Sequence, residues 1–402
     1  FSSSRSNMAD SISLFKPFMA NDIDEPVLKV LHSGYIAQGP KVEEFEADLK
    51  KFLDFEHVLS LNSGTAGLHL ALRLLEKPHG AWPGWTSDDE VLTTALTCTA
   101  TNWPILANGL KIKWVDVDPK TANINLDDLE AKLSPKTKVI MFVHWGGCPV
   151  DLDRVQRIKG VCKQKYGFEP YVVEDCCHSF GAEFKGRKLG TTHSNLCVFS
   201  FQAIKHLTSV DGGLLTVPNA ELYRRGKLLR WFGIDRERRS GGGDFRMEPD
   251  VPEYGYKFHM NDVNATVGIL NLKHVPWILE RCRQNAKFYD KELSGVPGVT
   301  ILDVVAGSNP SYWLYSLKIV RKRDFIAFMS ERGVMVSQVH ARNDKHTTVA
   351  PFVAPLPLLD ALEESLICIP VGWWLTTADL QKVVRCVKEF VGAGPAKLPA
   401  KL

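Results

Sequence analysis

Residues 198 to 217 read VFSFQAIKHLTSVDGGLLTV, with Lys205 placed just after an apolar run and ahead of an aspartate-glycine-glycine turn. A lysine amine held at the edge of a buried sheet is desolvated, which lowers its pKa and makes it a nucleophile. Thirty positions earlier, YVVEDCCHSFGAEF (171 to 184) ends an apolar strand on Asp175. A carboxylate at the carboxyl edge of a parallel sheet lies where ligands bind, and once buried it needs a cation or donors. Earlier still, LNSGTAGLHLALRLL (61 to 75) passes from a strand end through a small-residue turn into a helix. Such a turn aims the N–H groups of Gly64, Thr65 and Ala66 at an anion above the helix start, where the dipole favours negative charge. Each feature alone has an ordinary explanation: Ser63 as a helix cap, Asp175 as a turn cap, Lys205 as a snorkelling surface lysine.

In combination and in this chain order, an anion site, a buried carboxylate and a lysine are the parts of a pyridoxal phosphate site. The helix start holds the phosphate, the aspartate keeps the pyridine nitrogen protonated so that the ring acts as an electron sink, and the lysine forms the Schiff base. A nicotinamide-dependent oxidoreductase would want G-x-G-x-x-G after the first strand, which NSGTAG does not supply.

The elements that must position these residues are legible in outline. Short β-rich runs alternate with helical patterns from about residue 40 to 220, the signature of a parallel sheet wrapped by helices. The runs are HVLSL (57 to 61), EVLTTA (90 to 95), KIKWVDV (111 to 117), TKVIMFVHW (137 to 145), PYVVEDC (170 to 176), LCVFSF (196 to 201) and GLLTV (213 to 217). PKVEEFEADLKKFL predicts an amphipathic helix opened by Pro40, with Val42, Phe45, Leu49 and Phe52 on one face. A long helical pattern over 261 to 295, interrupted at Pro276, is expected to bridge two domains. A strand over 312 to 320 and helices over 323 to 332 and 377 to 391 make a smaller α+β unit. The predicted division is an N-terminal segment 1–25, a large domain 26–260, and the bridging helix with the small domain over 261–402. Met8 is read as the natural start, with residues 1–7 left over from cloning.

With 402 residues, 45% hydrophobic and net charge +3, the composition is that of an ordinary globular protein, without the basic footprint of a nucleic-acid or membrane-surface binder. One local exception gathers Arg224, Arg225, Arg230, Arg236, Arg238 and Arg239, read as a solvated helix face running into a loop or, more sharply, as a loop that meets an anionic ligand. Nine cysteines without a C-x-x-C pair suggest core thiols in a reducing compartment rather than disulfides or a metal site. No apolar run approaches the roughly 20 residues of a membrane span, so the cytoplasm is the expected location.

The chain resembles the DegT/DnrJ/EryC1/StrS family of nucleotide-sugar aminotransferases, which have the fold type I α/β architecture. The resemblance rests on SGYIAQGPKVEEFEADL, NSGTAGLHLAL, VVEDCCHSFGA, FSFQAIKHLTSVDGG, GYKFHMNDVNATVGILNL and LPLLDALEESLICIPVGWWLT, whose order and spacing match together. It implies Lys205 as the Schiff-base lysine, Asp175 at the pyridine nitrogen, His178 near the ring hydroxyl, and Gly64, Thr65 and Ser200 at the phosphate. The implied reaction is ping-pong: L-glutamate converts the cofactor to its pyridoxamine form, which then aminates a keto sugar, with Lys205 moving the proton each time. The implied substrate is a nucleotide-linked 4-keto-6-deoxyhexose aminated at C4, with amination at C3 as the alternative. A sugar dehydratase of the same fold replaces the lysine by histidine, and a regulator without turnover need not keep both Asp175 and Lys205.

Two positions depart from the family. Cys98 stands where many relatives stack an aromatic residue on the cofactor, leaving the contact to a smaller group or to Trp103. Lys257 stands where relatives carry an Asn that reaches the cofactor phosphate of the neighbouring subunit in a homodimer, a contact a lysine makes as a point charge. At the sugar end, VSQVHARNDKHTT predicts a polar loop offering His340, Arg342, Asn343, Asp344 and His346, while HWGG (144 to 147) and SGYIAQGP (33 to 40, with Tyr35) are expected to line the pocket.

Overall fold

A computed structural model describes residues 11–236 and 250–393. Arg238 and Arg239, and the segment before Ser11, lie outside the described residues. In chain order the strands are β1 (Val58–Leu61), β2 (Glu90–Thr94), β3 (Lys111–Val115), β4 (Thr137–Val143), β5 (Tyr171–Asp175), β6 (Glu183–Phe184), β7 (Arg187–Lys188), β8 (Leu196–Ser200), β9 (Gly213–Thr216), β10 (Val299–Ile301), β11 (Ser308–Asn309), β12 (Tyr315–Ile319) and β13 (Leu366–Ile369). Seven of them form one sheet in the order β1-β9-β8-β5-β4-β2-β3. β8, β5, β4, β2 and β3 pair in parallel, and only β9 runs against its neighbours.

The strands are continuous apolar runs because both faces of the sheet are covered. Successive side chains alternate between two cores: Leu59, Val91, Met141, Val173, Val198 and Leu215 pack on one face, and Val58, Leu92, Ile140, Val172, Cys197 and Leu214 on the other. The second core takes the helix Pro40–Leu53 through Val42, Phe45 and Leu49, all fully buried, as its spacing predicts. Phe52, counted on the same face in the sequence, lies only partly buried at the edge and stacks on Phe180 at 5.0 Å. The small sheet β10-β12-β13 has its own core around Tyr289, Leu317, Phe325 and Phe390.

Two sequence readings need correction. The pattern over 261 to 295 is two helices, Asp262–Leu272 and Val275–Leu293, and the chain breaks at Lys273 and His274, before the proline. Pro276 sits in the first turn of the second helix, where a missing N–H costs no hydrogen bond. Of the described arginines in the run, Arg224 and Arg225 lie on the helix Ala220–Leu229, Arg230 caps it, and Arg236 follows it and donates to the Gln38 carbonyl at 3.0 Å, so several are bound by the fold. Arg225 pairs with Glu253 at 2.7 Å, and Arg230 pairs with Glu46 and donates to the Ser60 carbonyl at 3.0 Å.

Gly213 in β9 explains the glycine pair behind Lys205. A Cβ there would stand 2.4 Å from the Ser63 carbonyl oxygen and 2.7 Å from the Gly64 nitrogen, both backbone atoms that cannot swing aside. Gly213→Ala is therefore expected to lower stability by about 1–3 kcal/mol, read as a shift in the urea unfolding midpoint with unchanged slope.

Candidate active site

The parallel strands deliver their carboxyl ends to one edge of the sheet, the place where such folds bind ligands. Asp175 is the last residue of β5 and is paired in register with Val198 of β8. Its side chain is 3% exposed. Oδ1 accepts from the Cys177 backbone N–H at 3.0 Å and Oδ2 from the Thr101 hydroxyl at 2.6 Å, while Thr101 also hydrogen-bonds Thr97 at 2.6 Å. Each oxygen thus has a backbone or hydroxyl donor, the Cys177 thiol adds a side-chain hydrogen bond, and the four lone pairs are still not all used, so the carboxylate is fixed without being saturated.

Lys205 lies in the loop after β8, past a turn in which its N–H donates to the Gln202 carbonyl at 2.9 Å. Its Nζ stands 3.5 Å from the centre of the Trp313 ring. Burial pushes the amine below its ordinary value of 10.5, opposed by the thiols of Cys177 and Cys98 and by the Asp175 carboxylate. The amine is thereby made nucleophilic, and Cys98 is brought to its side. The Trp313 indole N–H donates to the Ile204 carbonyl at 2.9 Å, which fixes the ring beneath the lysine.

The helix Gly64–Leu74 begins at the same edge, capped by the Ser63 hydroxyl. That cap takes the Ala66 N–H at 3.1 Å, so Ala66 is not the anion donor the sequence suggests. The N–H groups of Gly64 and Thr65, at the first two helical positions, have no partner within a helix. A Cβ on Gly64 would stand 2.9 Å from Cys177 Sγ and 3.0 Å from Ser200 Cβ, which places the helix start directly against both.

His178 is 2% exposed and stacks on Trp313 with centroids 4.1 Å apart. Burial first, then Lys205, His340, His206 and His144, hold it well below its usual value, so it is neutral. Among the described residues its Nδ1 has no hydrogen-bond partner. A carboxylate with spare lone pairs, a desolvated amine, an anion-binding helix start and an orphaned imidazole nitrogen together fit pyridoxal phosphate.

The remaining predicted residues divide. His340 joins the site, its Nε2 at 3.4 Å from His178 Nε2. Arg342 does not: it is buried and its guanidinium is held by Asp344 at 2.7 Å, Asp360 at 2.5 Å and Glu363 at 3.2 Å, so its charge is already met by carboxylates. Asn343 is buried as well, donating through Nδ2 to the Cys98 carbonyl at 3.2 Å, and it ties the loop to the site's wall. Arg342→Met strands this carboxylate cluster and is expected to cost about 3–5 kcal/mol in equilibrium unfolding. Trp103 meets His346 edge-on at 5.6 Å. Tyr35 is 70% exposed at a cavity of about 950 Å³ that Gln38, Trp231 and Arg236 also line. The Lys257 side chain is exposed, while its carbonyl accepts from Asn62 at 3.1 Å beside the Ser63 turn. From HWGG, Trp145 is buried and faces His178 edge-on at 6.2 Å.

Behind Asp175, His144, Glu174 and Cys176 come together. The Val150 N–H donates to His144 Nδ1 at 3.0 Å, so the ring proton sits on Nε2 and is given to Glu174 at 2.9 Å, with Asn195 on the other oxygen at 2.6 Å. Both imidazole nitrogens are thereby used, and the group braces the strand ends rather than offering a metal lone pair.

Sequence reasoning missed Trp313 and Thr101. Thr101 carried a signal, the i, i+4 spacing from Thr97 at the start of the helix Thr99–Ala107. Trp313 carried none, since nothing local in SYWLY tells which sheet edge it reaches.

The DegT/DnrJ/EryC1/StrS aminotransferase family model matches residues 17–388, and the chain belongs to that family. The crystal structure of AtS13 from Actinomadura melliaura is similar at 46% identity with a TM-score of 0.89, over 94% of this chain and 98% of that one. The sugar aminotransferase CalS13 from Micromonospora echinospora is similar at 44% identity and a TM-score of 0.89, over 94% and 99%. The PMP-form of Spr1654 from Streptococcus pneumoniae, a sugar aminotransferase by description, is similar at 25% identity and 0.86, over 95% and 99%. Fold and family together define a pyridoxal-phosphate-dependent sugar aminotransferase. Among the described residues no helix is long and apolar enough to cross a membrane.

Proposed function

We propose that the chain moves an amino group from L-glutamate to C4 of a nucleotide-linked 4-keto-6-deoxyhexose by a ping-pong mechanism. The observation that carries this is the desolvated Lys205 amine packed over Trp313 and facing Asp175. Bound pyridoxal phosphate supplies an electron sink that lets the C–H bond beside the transferred nitrogen ionise. Lys205 holds the cofactor and, as a free neutral amine, takes the proton from the donor's α-carbon and returns one to the sugar carbon. Asp175 keeps positive charge at the pyridine nitrogen, with Thr101 and the Cys177 N–H aiming its oxygens. Gly64, Thr65 and Ser200 bind the phosphate and His178 meets the ring hydroxyl. Lys257 reaches the cofactor phosphate of a second subunit, which makes the active unit a homodimer working in the cytoplasm, and Tyr35 contacts the nucleotide sugar.

The test supplies the loaded protein with L-glutamate and GDP-, UDP- or dTDP-linked 4-keto-6-deoxyhexoses, beside 3-keto sugars, and locates the new amine by NMR. An amine at C4 from one nucleotide series supports the proposal. An amine at C3 replaces it with the alternative position, and no amination of any keto sugar sinks both.

A further inference from the structure

The proton position of His178 is open, since its Nδ1 has no partner among the described residues, and a second histidine closes it. The two rings lie nearly parallel, 17° apart with centroids at 5.5 Å, and their Nε2 atoms are 3.4 Å apart. Two neutral imidazoles meeting through Nε2 share a single proton: one ring donates and the other accepts. Both are neutral, because burial and Lys205 depress His340 to about 4 and hold His178 well down. If His340 donates, the His178 proton is on Nδ1; if His178 donates, its Nδ1 is bare.

We infer that His340 is a positioning residue that donates its Nε2–H to His178 Nε2 and so sets His178 in the Nδ1–H tautomer, making the unpartnered Nδ1 a hydrogen-bond donor to the ring oxygen of the cofactor. This rests on the functional proposal above, because an ionised ring oxygen takes a donor and repels a bare nitrogen. The surroundings single out His340 as the partner. The His178 ring is stacked on Trp313 at 4.1 Å, and Trp313 is itself stacked on Phe15 at 4.8 Å, so packing holds the His178 ring in place. The other charged or titratable groups facing His178 are Lys205, His206 and His144. His144 spends both nitrogens on Val150 and Glu174, and His206 is itself held neutral, its value pushed to about 4 by burial. That leaves His340 as the hydrogen-bond partner the structure gives the His178 ring among the described residues. The role also explains why a loop anchored by Arg342 and Asn343 is held so firmly: it carries His340.

The experiment follows the pH midpoint of the cofactor's visible absorbance in the holoenzyme. A donor at the ring oxygen draws negative charge away from the nitrogen joined to the cofactor and makes its proton easier to lose. His340→Met removes the donor with little change in volume and is expected to raise the midpoint by about one pH unit, a tenfold shift. His340→Gln, whose amide can donate, recovers most of it. In a His178→Ala background, His340→Met adds nothing, because its action passes through His178. An unchanged midpoint in His340→Met, or an equal shift with and without His178, overturns the inference while leaving the aminotransferase intact. Failure of the parent protein to show any visible cofactor band overturns the functional proposal, and the role of His340 with it.

Discussion

Lys205→Ala is expected to lose about 10⁴-fold or more in turnover, because one amine both holds the cofactor and carries the proton. The loss falls on kcat, since none of the groups proposed for the phosphate or the sugar is touched. Folding should move the other way. Nζ is buried against Trp313 and its pKa is pushed below 10.5, so between that lowered value and 10.5 the unfolded chain binds a proton that the folded chain does not. Parent stability therefore rises with pH through the window from the depressed folded value up to about 10.5, and is lowest below it, where folding must bury a charge. In Lys205→Met that slope disappears and the ligand-free protein is at least as stable as its parent. Urea unfolding at two pH values across the window, done without cofactor, reads the difference. Equal slopes in the two proteins would contradict a desolvated lysine.

Asp175→Asn is the second large effect, expected at about 10²–10³-fold in turnover from lost electrostatic stabilisation. Its value as a test is that the geometry accepts the amide. Asn Oδ1 still receives the Cys177 N–H, its Nδ2 donates to Thr101, and Thr101 turns its own proton to Thr97, a pair in which either oxygen can donate. The substitution removes charge while leaving packing and hydrogen bonding in place, so the unfolding midpoint should hardly move. A variant that keeps parental turnover would remove Asp175 from the chemistry. One that unfolds easily would mean its charge serves the fold instead.

The sheet and the three chemical landmarks could be read from the chain because each depends on local rules. Buried parallel strands are written as apolar runs, the helix start as a small-residue turn, and Lys205 and Asp175 as polar residues that interrupt apolar context. What escaped depends on contacts across the fold. Arg342 reads from the chain as a free polar group at the sugar end, because a loop arginine beside histidines looks unpaired; Asp360 and Glu363, both on the helix Pro357–Glu363, pair with it. Ala66 lost its assigned role to a rule the sequence did display, since Ser63 stands three residues ahead of it. Trp313 reaches Lys205 across more than a hundred residues, and no periodicity encodes that meeting.

The most direct measurement leaves the sugar out. Protein loaded with pyridoxal phosphate is mixed with L-glutamate alone and the 2-oxoglutarate formed is counted against cofactor sites. A ping-pong aminotransferase working through Lys205 gives one equivalent and stops until a keto sugar is added, while Lys205→Ala gives none. Continuous release without an acceptor, or no 2-oxoglutarate from a fully loaded protein, would contradict the assignment.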